Sequence, residues 1–430
     1  MSYFKVEGDA PLNGTIRPSG NKNEALPALM TCLLTDEPVI LKRMPQIEDV
    51  LTSCDILNKL GVKIEWLQED CLMLQAFPEM DFKAPDKELC SKIRASILLL
   101  GPMLARFKKV ELPLPGGDII GARKIDSHFE SIESLGGKVE LSDAIYANID
   151  RVQGCEIFLD EPSVTATENT LLLACLAEGS TTLNNAACEP HIRGLCELLI
   201  KMGASIEGLG TNQLKIKGVS KLSGAEHTIG PDFMEVGSFL CLSAITEGRI
   251  ILEDVILSDL HFILKTLRKI GIETEILSPT SITVRDTNCL MVKPNIEKFL
   301  SSNIYSSPWP AFPTDLMSVA IVAATQAYGT ILFHEKMFEG RMFFTDKLAA
   351  MGANIIICDP HRVVVTGPKT LYGAHLSSPD VRAGMALLMA TLIAKGKSEI
   401  HNVYQIDRGY LQIEKKIESL GGRIQRKKSC

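Results

Sequence analysis

The sequence predicts an α/β protein of two domains, each made of three βαβαβ-type units. Three observations support this fold class. A glycine that ends an amphipathic run recurs six times, a turn followed by a short strand lies upstream of it, and a strongly apolar helix precedes each turn. A chain of 430 residues is also long for a single core, which agrees with two domains.

Each recurring glycine is followed by an alternating stretch rich in β-branched residues. Glycine adopts the left-handed conformation that closes a helix at low steric cost, so the pattern predicts helix, cap and strand in turn. Successive glycines lie 67 to 81 residues apart, which indicates internal repeats. The six segments are Leu60–Glu65, Leu135–Glu140, Met202–Glu207, Ile270–Glu275, Met351–Ile356 and Leu420–Gln425.

The distance from turn to glycine is 23 to 25 residues in five repeats but 29 residues in the second. The surplus falls in a loop, Pro113–Arg123, in which prolines and glycines flank Asp118. An insertion at one place in a constant repeat is more often functional than structural, so we expect this loop to serve a site. The other turns and strands are Glu37–Leu41, Gly179–Leu183, Gly248–Leu252, Gly329–Phe333 and Gly396–Ile400.

Six helices are apolar on nearly all faces, which predicts that they are buried inside the domains. They are Asn23–Leu34, Arg94–Leu104, Thr167–Ala177, Met234–Ile245, Thr314–Ala324 and Val381–Ile393. We expect residues 22–230 to form the first domain, which carries the inserted loop over residues 111–124. Residues 1–21 and 231–430 are expected to form the second, with the N-terminal segments Tyr3–Gly8 and Thr15–Pro18 paired into its sheets.

Composition excludes several classes of function. A net charge of −7 argues against nonspecific binding to nucleic acid or to a membrane surface. The N-terminus has no signal pattern and the apolar runs are short, so a cytoplasmic protein is expected. The 12 cysteines form no Cys-x-x-Cys pair and no metal-ligand spacing, and no nucleotide-binding glycine motif is present. We therefore expect reduced cysteines, no metal and no cofactor.

Charged residues open several of the apolar helices. Lys22, Arg94 and Arg382 are cations at helix starts, where they oppose the helix dipole unless they bind an anion beside exposed backbone N–H groups. Asp315 and Asp380 could equally cap their helices or line a cleft. With Arg123 and Arg408, these cations predict a site for a small polyanion in a cleft between the domains. Asp118 and Asp315 are suited to separate acid and base duties.

Seven segments of the chain match the motifs of a known family: Ser19–Pro27, Arg94–Ile97, Pro115–Gly117, Ile120–Arg123, Ala311–Asp315, Asp380–Ala383 and Ile406–Tyr410. With these segments, and across essentially its whole length, the chain resembles the UDP-N-acetylglucosamine branch of the enolpyruvyl transferase (1-carboxyvinyltransferase) family. The resemblance implies an inside-out α/β barrel of two domains, each with three repeats. It also implies transfer of the enolpyruvyl group of phosphoenolpyruvate to a sugar 3-hydroxyl with release of phosphate, in the first committed step of peptidoglycan synthesis.

The resemblance also assigns roles to residues, with Asp315 taking the sugar proton and the inserted loop closing over both substrates. It implies catalytic roles for Asp118, Asp315, Lys22 and Arg408. Phosphoenolpyruvate would be held by Lys22, Asn23, Arg123, Arg382 and Arg408. UDP-N-acetylglucosamine would meet Asn23, Arg94, Arg123, Lys124, Ile125, Asp126, Ser127, Ser163, Val164, Thr165, Asp315 and Met337.

The chain departs from the family pattern in the loop and at the uridine end. Asp118 stands where the family usually has a lid cysteine that forms a thioether with the epoxide antibiotic fosfomycin, so resistance to fosfomycin is expected. Other departures are Lys124, Ser127, Glu161, Thr165, Leu98 and Phe233. They leave two alternatives open, a paralogue that uses another nucleotide sugar and a catalytically silent homologue that binds one. The oligomeric state is not predicted.

Overall fold

The computed structural model describes residues 2–118, 120–121, 123–246, 248–285, 289–294 and 302–428. Its strands are β1 (Ser2–Glu7), β2 (Gly14–Ile16), β3 (Val39–Lys42), β4 (Lys63–Gln68), β5 (Cys71–Gln75), β6 (Lys109–Pro113), β7 (Lys138–Leu141), β8 (Ala144–Asn148), β9 (Glu156–Phe158), β10 (Ser180–Asn184), β11 (Ser205–Glu207), β12 (Gln213–Lys217), β13 (Ala225–Thr228), β14 (Ile250–Glu253), β15 (Thr274–Ser278), β16 (Ser281–Val284), β17 (Asn303–Tyr305), β18 (Gly329–His334), β19 (Asn354–Asp359), β20 (Arg362–Gly367), β21 (His375–Ser377), β22 (Lys397–His401) and β23 (Arg423–Lys428).

The helices alternate with these strands along the chain. The α-helices are α1 (Lys22–Met30), α2 (Glu48–Leu60), α3 (Lys87–Cys90), α4 (Leu100–Phe107), α5 (Asp126–Ser134), α6 (Val164–Ala174), α7 (Pro190–Lys201), α8 (Phe233–Ile245), α9 (His261–Leu267), α10 (Met317–Ala324), α11 (Thr345–Ala350), α12 (Val381–Ile393), α13 (Tyr404–Asp407) and α14 (Ile413–Ser419). The 3₁₀ helices are Thr31–Leu34, Arg94–Leu99, Leu257–Leu260, Arg268–Ile270, Thr314–Leu316 and Glu339–Met342. Within the described parts of the chain, none of these helices combines the length and apolarity needed to cross a bilayer.

The chain divides into two compact units. The terminal unit comprises Met1–Ser19, Ile119–Ala122 and Pro231–Cys430, and the central unit comprises Gly20–Asp118 and Arg123–Gly230.

Two details differ from the boundaries expected from the sequence. Asn21 belongs to the central unit, because its N–H donates to the Gly230 carbonyl at 2.7 Å and its side chain caps α1. The middle of the inserted loop belongs to the terminal unit, where the Ile120 carbonyl accepts a hydrogen bond of 2.8 Å from the Gly340 N–H.

The central unit contains three sheets. Their strand orders are β13-β3-β5-β4, β6-β8-β7 and β11-β12-β10-β9. In the first and third, an edge strand runs parallel to its neighbour and the remaining pairs are antiparallel. The second sheet has no parallel edge strand among the described residues, and it is this repeat that carries the inserted loop after β6.

The terminal unit repeats the same arrangement with strands taken from both ends of the chain. Its sheets are ordered β15-β16-β14-β2, β17-β18-β20-β19 and β21-β22-β1-β23. Strand β1 pairs antiparallel with β22 and β23, and β2 pairs parallel with β14. The prediction that the N-terminal segments complete sheets of this unit is therefore confirmed.

Buried helices form the centre of each unit and the sheets cover them. In the terminal unit α8, α10 and α12 pack against one another and against strands of the three sheets. Nearly every side chain of these helices is buried, whereas strands such as β12 alternate between buried and exposed residues. The sheets therefore turn one face to the helices and the other to solvent, so the all-round apolar pattern marked the interior correctly.

The repeat prediction is confirmed at its glycines and needs one correction in its strands. Gly61, Gly136, Gly203, Gly271, Gly352 and Gly421 all have φ between 86° and 107°, the left-handed conformation expected of a helix-ending glycine. The stretch after each of the first five glycines is a hairpin of two antiparallel strands instead of one strand. In the sixth repeat the second strand is β1, from the opposite end of the chain.

Candidate active site

The first helix of the central unit presents Lys22 and Asn23 at its start. Asn21 caps α1 by accepting a hydrogen bond from the Glu24 N–H at 3.0 Å, so the helix begins at Lys22. Lys22 Nζ lies 2.6 Å from Asp49 Oδ2 of α2, and the two side chains are only 13% and 5% exposed. This ion pair holds the side chain of Lys22 at the start of α1.

The inserted loop lies against the segment that begins with Arg94. The Gly116 N–H donates to the Cys90 carbonyl at 3.2 Å. Gly117 has φ +105°, and a Cβ there would lie 2.9 Å from Arg94 Cβ. Any larger residue would push the loop off Arg94, so the glycines predicted to shape this loop also set how closely it approaches.

Two arginines converge at this contact. Arg94 Nη2 donates to the carbonyls of Arg123 and Lys124 at 2.9 and 3.3 Å, and Arg123 Nη2 donates to the Asp118 carbonyl at 2.8 Å. Burial, and secondarily the charge of Arg123, lowers the pKa of Arg94 to about 10. Two guanidinium groups brought together in this way favour an anion between them.

A buried histidine next to the loop was not among the residues singled out from the sequence. His128 Nε2 lies 3.0 Å from Thr165 Oγ1, and Nδ1 lies 2.9 Å from Asn169 Nδ2. Asn169 Oδ1 accepts from the Gly101 N–H, so its Nδ2 is the donor to His128. We therefore assign the neutral tautomer that carries its proton on Nε2, which donates to Thr165 and orients that hydroxyl.

His128 should make the protein sensitive to mild acid. Burial, and secondarily Arg94, lowers the pKa of His128 from 6.5 to about 3. The histidine of the unfolded chain takes up its proton at a higher pH than the buried His128 does. The stabilisation of the folded state by neutral His128 is therefore present above pH 6.5. It is lost as the pH falls toward 3, where the free energy of unfolding decreases by up to about 1.4 kcal/mol per pH unit. We expect urea midpoints of the wild type to fall more steeply between pH 6.5 and 5 than those of His128→Gln.

The matched control for that experiment is His261→Gln, because His261 is an exposed histidine of the terminal unit. The urea midpoint of His261→Gln should change with pH as steeply as that of the wild type. Parallel midpoint-versus-pH curves for the wild type and His128→Gln would show that His128 is not the titrating group.

The remaining predicted residues of the central unit lie at two helix starts. Lys124 and Asp126 are exposed, Ile125 is half-buried and Ser127 is buried in the first turn of α5. Ser163 caps α6 by accepting from the Ala166 N–H at 3.4 Å, and Val164 and Thr165 form the first turn. Helices α5 and α6 pack against each other, so these two predicted segments are neighbours.

In the terminal unit Asp315 lies between two arginines. Arg382 Nε donates to Asp315 Oδ2 at 2.9 Å, and Arg341 Nη2 donates to Oδ1 at 2.5 Å. Arg341 is carried by the 3₁₀ helix Glu339–Met342, the helix whose Gly340 N–H bonds the loop residue Ile120. The sequence pattern does not single out Arg341, because it opens no apolar helix, although it is a cation just after the fifth-repeat turn and strand.

Arg382 is buried within a polar network. Its Nη1 donates to Tyr410 Oη at 3.2 Å, and Tyr410 Oη lies 3.0 Å from Ser238 Oγ. Burial opposes the charge of Arg382, but Asp315, Tyr410 and Asp232 outweigh it, so the pKa of Arg382 lies above its ordinary value. Asp380 takes the capping role, since its Oδ1 accepts from the N–H groups of Arg382 and Ala383.

The last two predicted residues also lie in the terminal unit. Arg408 is 5% exposed, and its Nη1 donates to Gln405 Oε1 at 2.8 Å. The exposed Met337 follows β18, and its N–H donates to Glu335 Oε1 at 2.8 Å. The predicted residues thus form two sets, in which Arg94, Asp118, Arg123 and Lys124 meet in one unit and Asp315 and Arg382 meet in the other.

Solved structures define the class to which this fold belongs. The enolpyruvyl transferase NikO from Streptomyces tendae aligns with a TM-score of 0.88 at 21% identity, covering 100% of this chain and 99% of that one. An EPSP synthase from Acinetobacter baumannii aligns with a TM-score of 0.75 at 18% identity, covering both chains completely. The fold is that of the enolpyruvyl transferases, as predicted.

Sequence comparison gives the family. The model of EPSP synthase (3-phosphoshikimate 1-carboxyvinyltransferase) matches residues 6–417. UDP-N-acetylglucosamine 1-carboxyvinyltransferases from Treponema denticola and Borreliella burgdorferi are each 48% identical, covering 99% and 100% of this chain and 100% of their own. The enzyme of that name from Bacteroides thetaiotaomicron is 43% identical over 99% of this chain. The chain belongs to this family of enolpyruvyl (1-carboxyvinyl) transferases.

Proposed function

We propose that this enzyme transfers the enolpyruvyl group of phosphoenolpyruvate to the 3-hydroxyl of UDP-N-acetylglucosamine, releasing phosphate, as the first committed step of peptidoglycan synthesis. The observation that carries the proposal is 43–48% identity over at least 99% of the chain to enzymes bearing that name. Since these relatives share one acceptor in their names, a different nucleotide sugar is not favoured. A silent homologue is not favoured either, because Lys22, Asp315, Arg382 and Arg408 are all present.

The reaction proceeds by addition and then elimination. In the addition step the sugar 3-oxygen bonds to C2 of phosphoenolpyruvate, its proton passes to Asp315, and Asp118 protonates the C3 methylene to give a tetrahedral adduct. In the elimination step the Asp118 carboxylate takes a proton back from C3, the C2–C3 double bond re-forms, and phosphate leaves with the proton that Asp315 returns. Two separate carboxyl groups suit this chemistry, because one must accept a proton while the other donates.

Lys22, Arg123, Arg382 and Arg408 are assigned to the charged groups of phosphoenolpyruvate, and Asn23 is assigned to the same substrate. Arg341 is added to this set. Arg341 and Arg382 are both held by Asp315 in the structure. A polyanionic substrate competes for these guanidinium groups, and that exchange frees Asp315 to act as a base.

The nucleotide sugar is assigned to the remaining predicted residues. Arg94 and the segment from Arg123 to Ser127 hold the diphosphate and uridine, as do the residues Ser163 to Thr165 and Met337. Thr165 supports this assignment because His128 donates to its Oγ1, which leaves the hydroxyl proton available to a ligand. Asn23 and Asp315 contact the sugar itself.

The test is phosphate release by the full chain supplied with phosphoenolpyruvate and UDP-N-acetylglucosamine. We expect release that requires both substrates, with the enolpyruvyl product identified by mass. Release with another nucleotide sugar only would contradict the assigned acceptor. A folded protein that binds the nucleotide sugar without releasing phosphate would contradict the reaction itself.

The aspartate in the inserted loop predicts resistance to fosfomycin. An epoxide alkylates a thiolate readily, whereas a carboxylate is a much weaker nucleophile. We expect preincubation with fosfomycin to leave the wild type fully active and to inactivate Asp118→Cys progressively, with one fosfomycin mass added to the protein.

Asp118→Asn is the matched variant because it has neither thiol nor carboxylate. It should resist fosfomycin and, if Asp118 supplies the proton to C3, turn over roughly 10²- to 10⁴-fold more slowly than the wild type. Stoichiometric inactivation of the wild type with an adduct on Asp118 would overturn the resistance prediction, and full turnover by Asp118→Asn would remove Asp118 from the proton transfer.

A further inference from the structure

Three side chains with metal-binding atoms meet on the solvent face of one sheet of the terminal unit. His375 of β21 pairs in register with Glu399 of β22, and His401 follows two residues along β22. Residues two apart on a strand point to the same face, and the intervening Leu376 and Ile400 are buried, so the three lie together on the outer face. None of them has a role in the proposed reaction.

The spacing of the three groups fits one small metal ion. His375 Nδ1 lies 3.3 Å from Glu399 Oε2, His401 Nε2 lies 3.8 Å from the same oxygen, and all three ligand atoms lie within 4.8 Å of one another. Ligand atoms bound at about 2.0–2.1 Å to a tetrahedral ion stand about 3.4 Å apart. The His375–Glu399 pair already has this separation, the His401–Glu399 pair exceeds it by about 0.4 Å, and the two imidazole nitrogens lie within 4.8 Å of each other. Both histidines are exposed and can adjust to an ion.

A neighbouring aromatic ring stacks on one of the three side chains. The ring of Tyr3 on β1 stacks on His401 with centroids 5.1 Å apart and planes 16° from parallel. Stacking restricts the rotamers of His401, so less conformational entropy is lost when a metal binds.

We propose that His375, Glu399 and His401 form a zinc site. Two imidazoles and one carboxylate are a ligand set typical of Zn²⁺, and the carboxylate offsets part of the ion's charge. The side chain of His375 is 82% exposed, which leaves the fourth position to water. Calcium and magnesium prefer oxygen ligands and would bind poorly here.

The site joins two strands, and one of them is short and lies at a sheet edge. Strand β21 (His375–Ser377) pairs with β22 on one side only. Zinc bound to His375 and to two residues of β22 cross-links this edge strand to the sheet. Metal binding should therefore slow local opening of β21.

Zinc affinity of the full chain, measured by competition with a chromophoric zinc chelator, tests the proposal. The exposed thiols of Cys289 and Cys358 would add zinc binding of their own, so both are replaced with serine in every protein compared. Cys430 is replaced with serine as well. Loss of a group that merely orients a ligand weakens metal binding roughly 10- to 100-fold. We therefore expect His375→Ala, Glu399→Gln and His401→Ala each to weaken zinc binding at least tenfold. The matched control, His261→Gln, removes an exposed histidine elsewhere in the unit and should keep the starting affinity.

Hydrogen exchange supplies a second readout. Zinc should slow amide exchange in residues 375–377 of the starting protein and not in His375→Ala, while Mg²⁺ at the same concentration has no effect. Equal zinc affinity for the starting protein and the three ligand variants would overturn the proposal, as would slowed exchange that survives His375→Ala. Phosphate release is measured on the same proteins, and it should not change, which separates this site from the proposed activity.

Discussion

Asp315→Asn is expected to lower kcat by roughly 10²- to 10⁴-fold, the range of a positioned general base. Asparagine keeps the shape of the side chain but cannot take the sugar proton. It also accepts from only one of the two arginines that bond Asp315 in the structure, Arg341 and Arg382. Initial rates of phosphate release at saturating concentrations of both substrates measure the effect.

Asp346→Asn is the control for this variant. Asp346 is an exposed carboxylate in the first turn of α11 in the same unit, so its loss should leave kcat within about twofold. A thermal unfolding midpoint close to that of the wild type shows that Asp315→Asn is folded. If folded Asp315→Asn kept more than a tenth of wild-type kcat, Asp315 would not be the base.

Arg382→Gln is expected to lower kcat/KM for phosphoenolpyruvate by roughly 30- to 5,000-fold. Removing one partner of a buried, hydrogen-bonded charge pair costs about 2–5 kcal/mol, which corresponds to that range. Arg382 is 5% exposed and ordered by Asp315 and Tyr410, so no solvent shell replaces it. KM for UDP-N-acetylglucosamine should change much less, because the lost charge is assigned to phosphoenolpyruvate.

Arg362→Gln provides the comparison. Arg362 pairs with Asp359 at the surface of the same unit, where its side chain is 52% exposed, and solvent-exposed pairs contribute little. Its kinetic constants should match those of the wild type. An Arg382→Gln enzyme that loses affinity equally for both substrates would point to general disorder of the unit instead of a lost phosphoenolpyruvate contact.

The repeats were predictable because they depend on local chemistry. Left-handed glycines and all-round apolar helices are apparent from short stretches of sequence. Every glycine has the expected conformation, and the six buried helices lie within three residues of their predicted bounds. The hairpin after each glycine was predicted as a single strand, since nothing in the pattern distinguishes a tight turn at Glu69–Asp70 from continued extension.

The candidate site was only partly predictable, because it depends on long-range contacts. Arg341 meets Asp315 across 26 residues of sequence, and His128 meets Thr165 across 37. The sequence pattern does not predict the proposed zinc ligands for the same reason, since His375 and Glu399 become neighbours only through strand pairing. Short-range spacing rules find none of these pairs.

The position of β1 has a consequence for synthesis of the protein. Its Glu7 pairs with Lys397 and Arg423, so the last sheet of the terminal unit cannot close until nearly the whole chain has been made. At about 5–20 residues per second, the first strand waits about 20–80 s for its partners. The central unit, encoded by residues 20–230 apart from four loop residues, can fold in that interval. The central unit can therefore fold before the terminal unit, which is completed last.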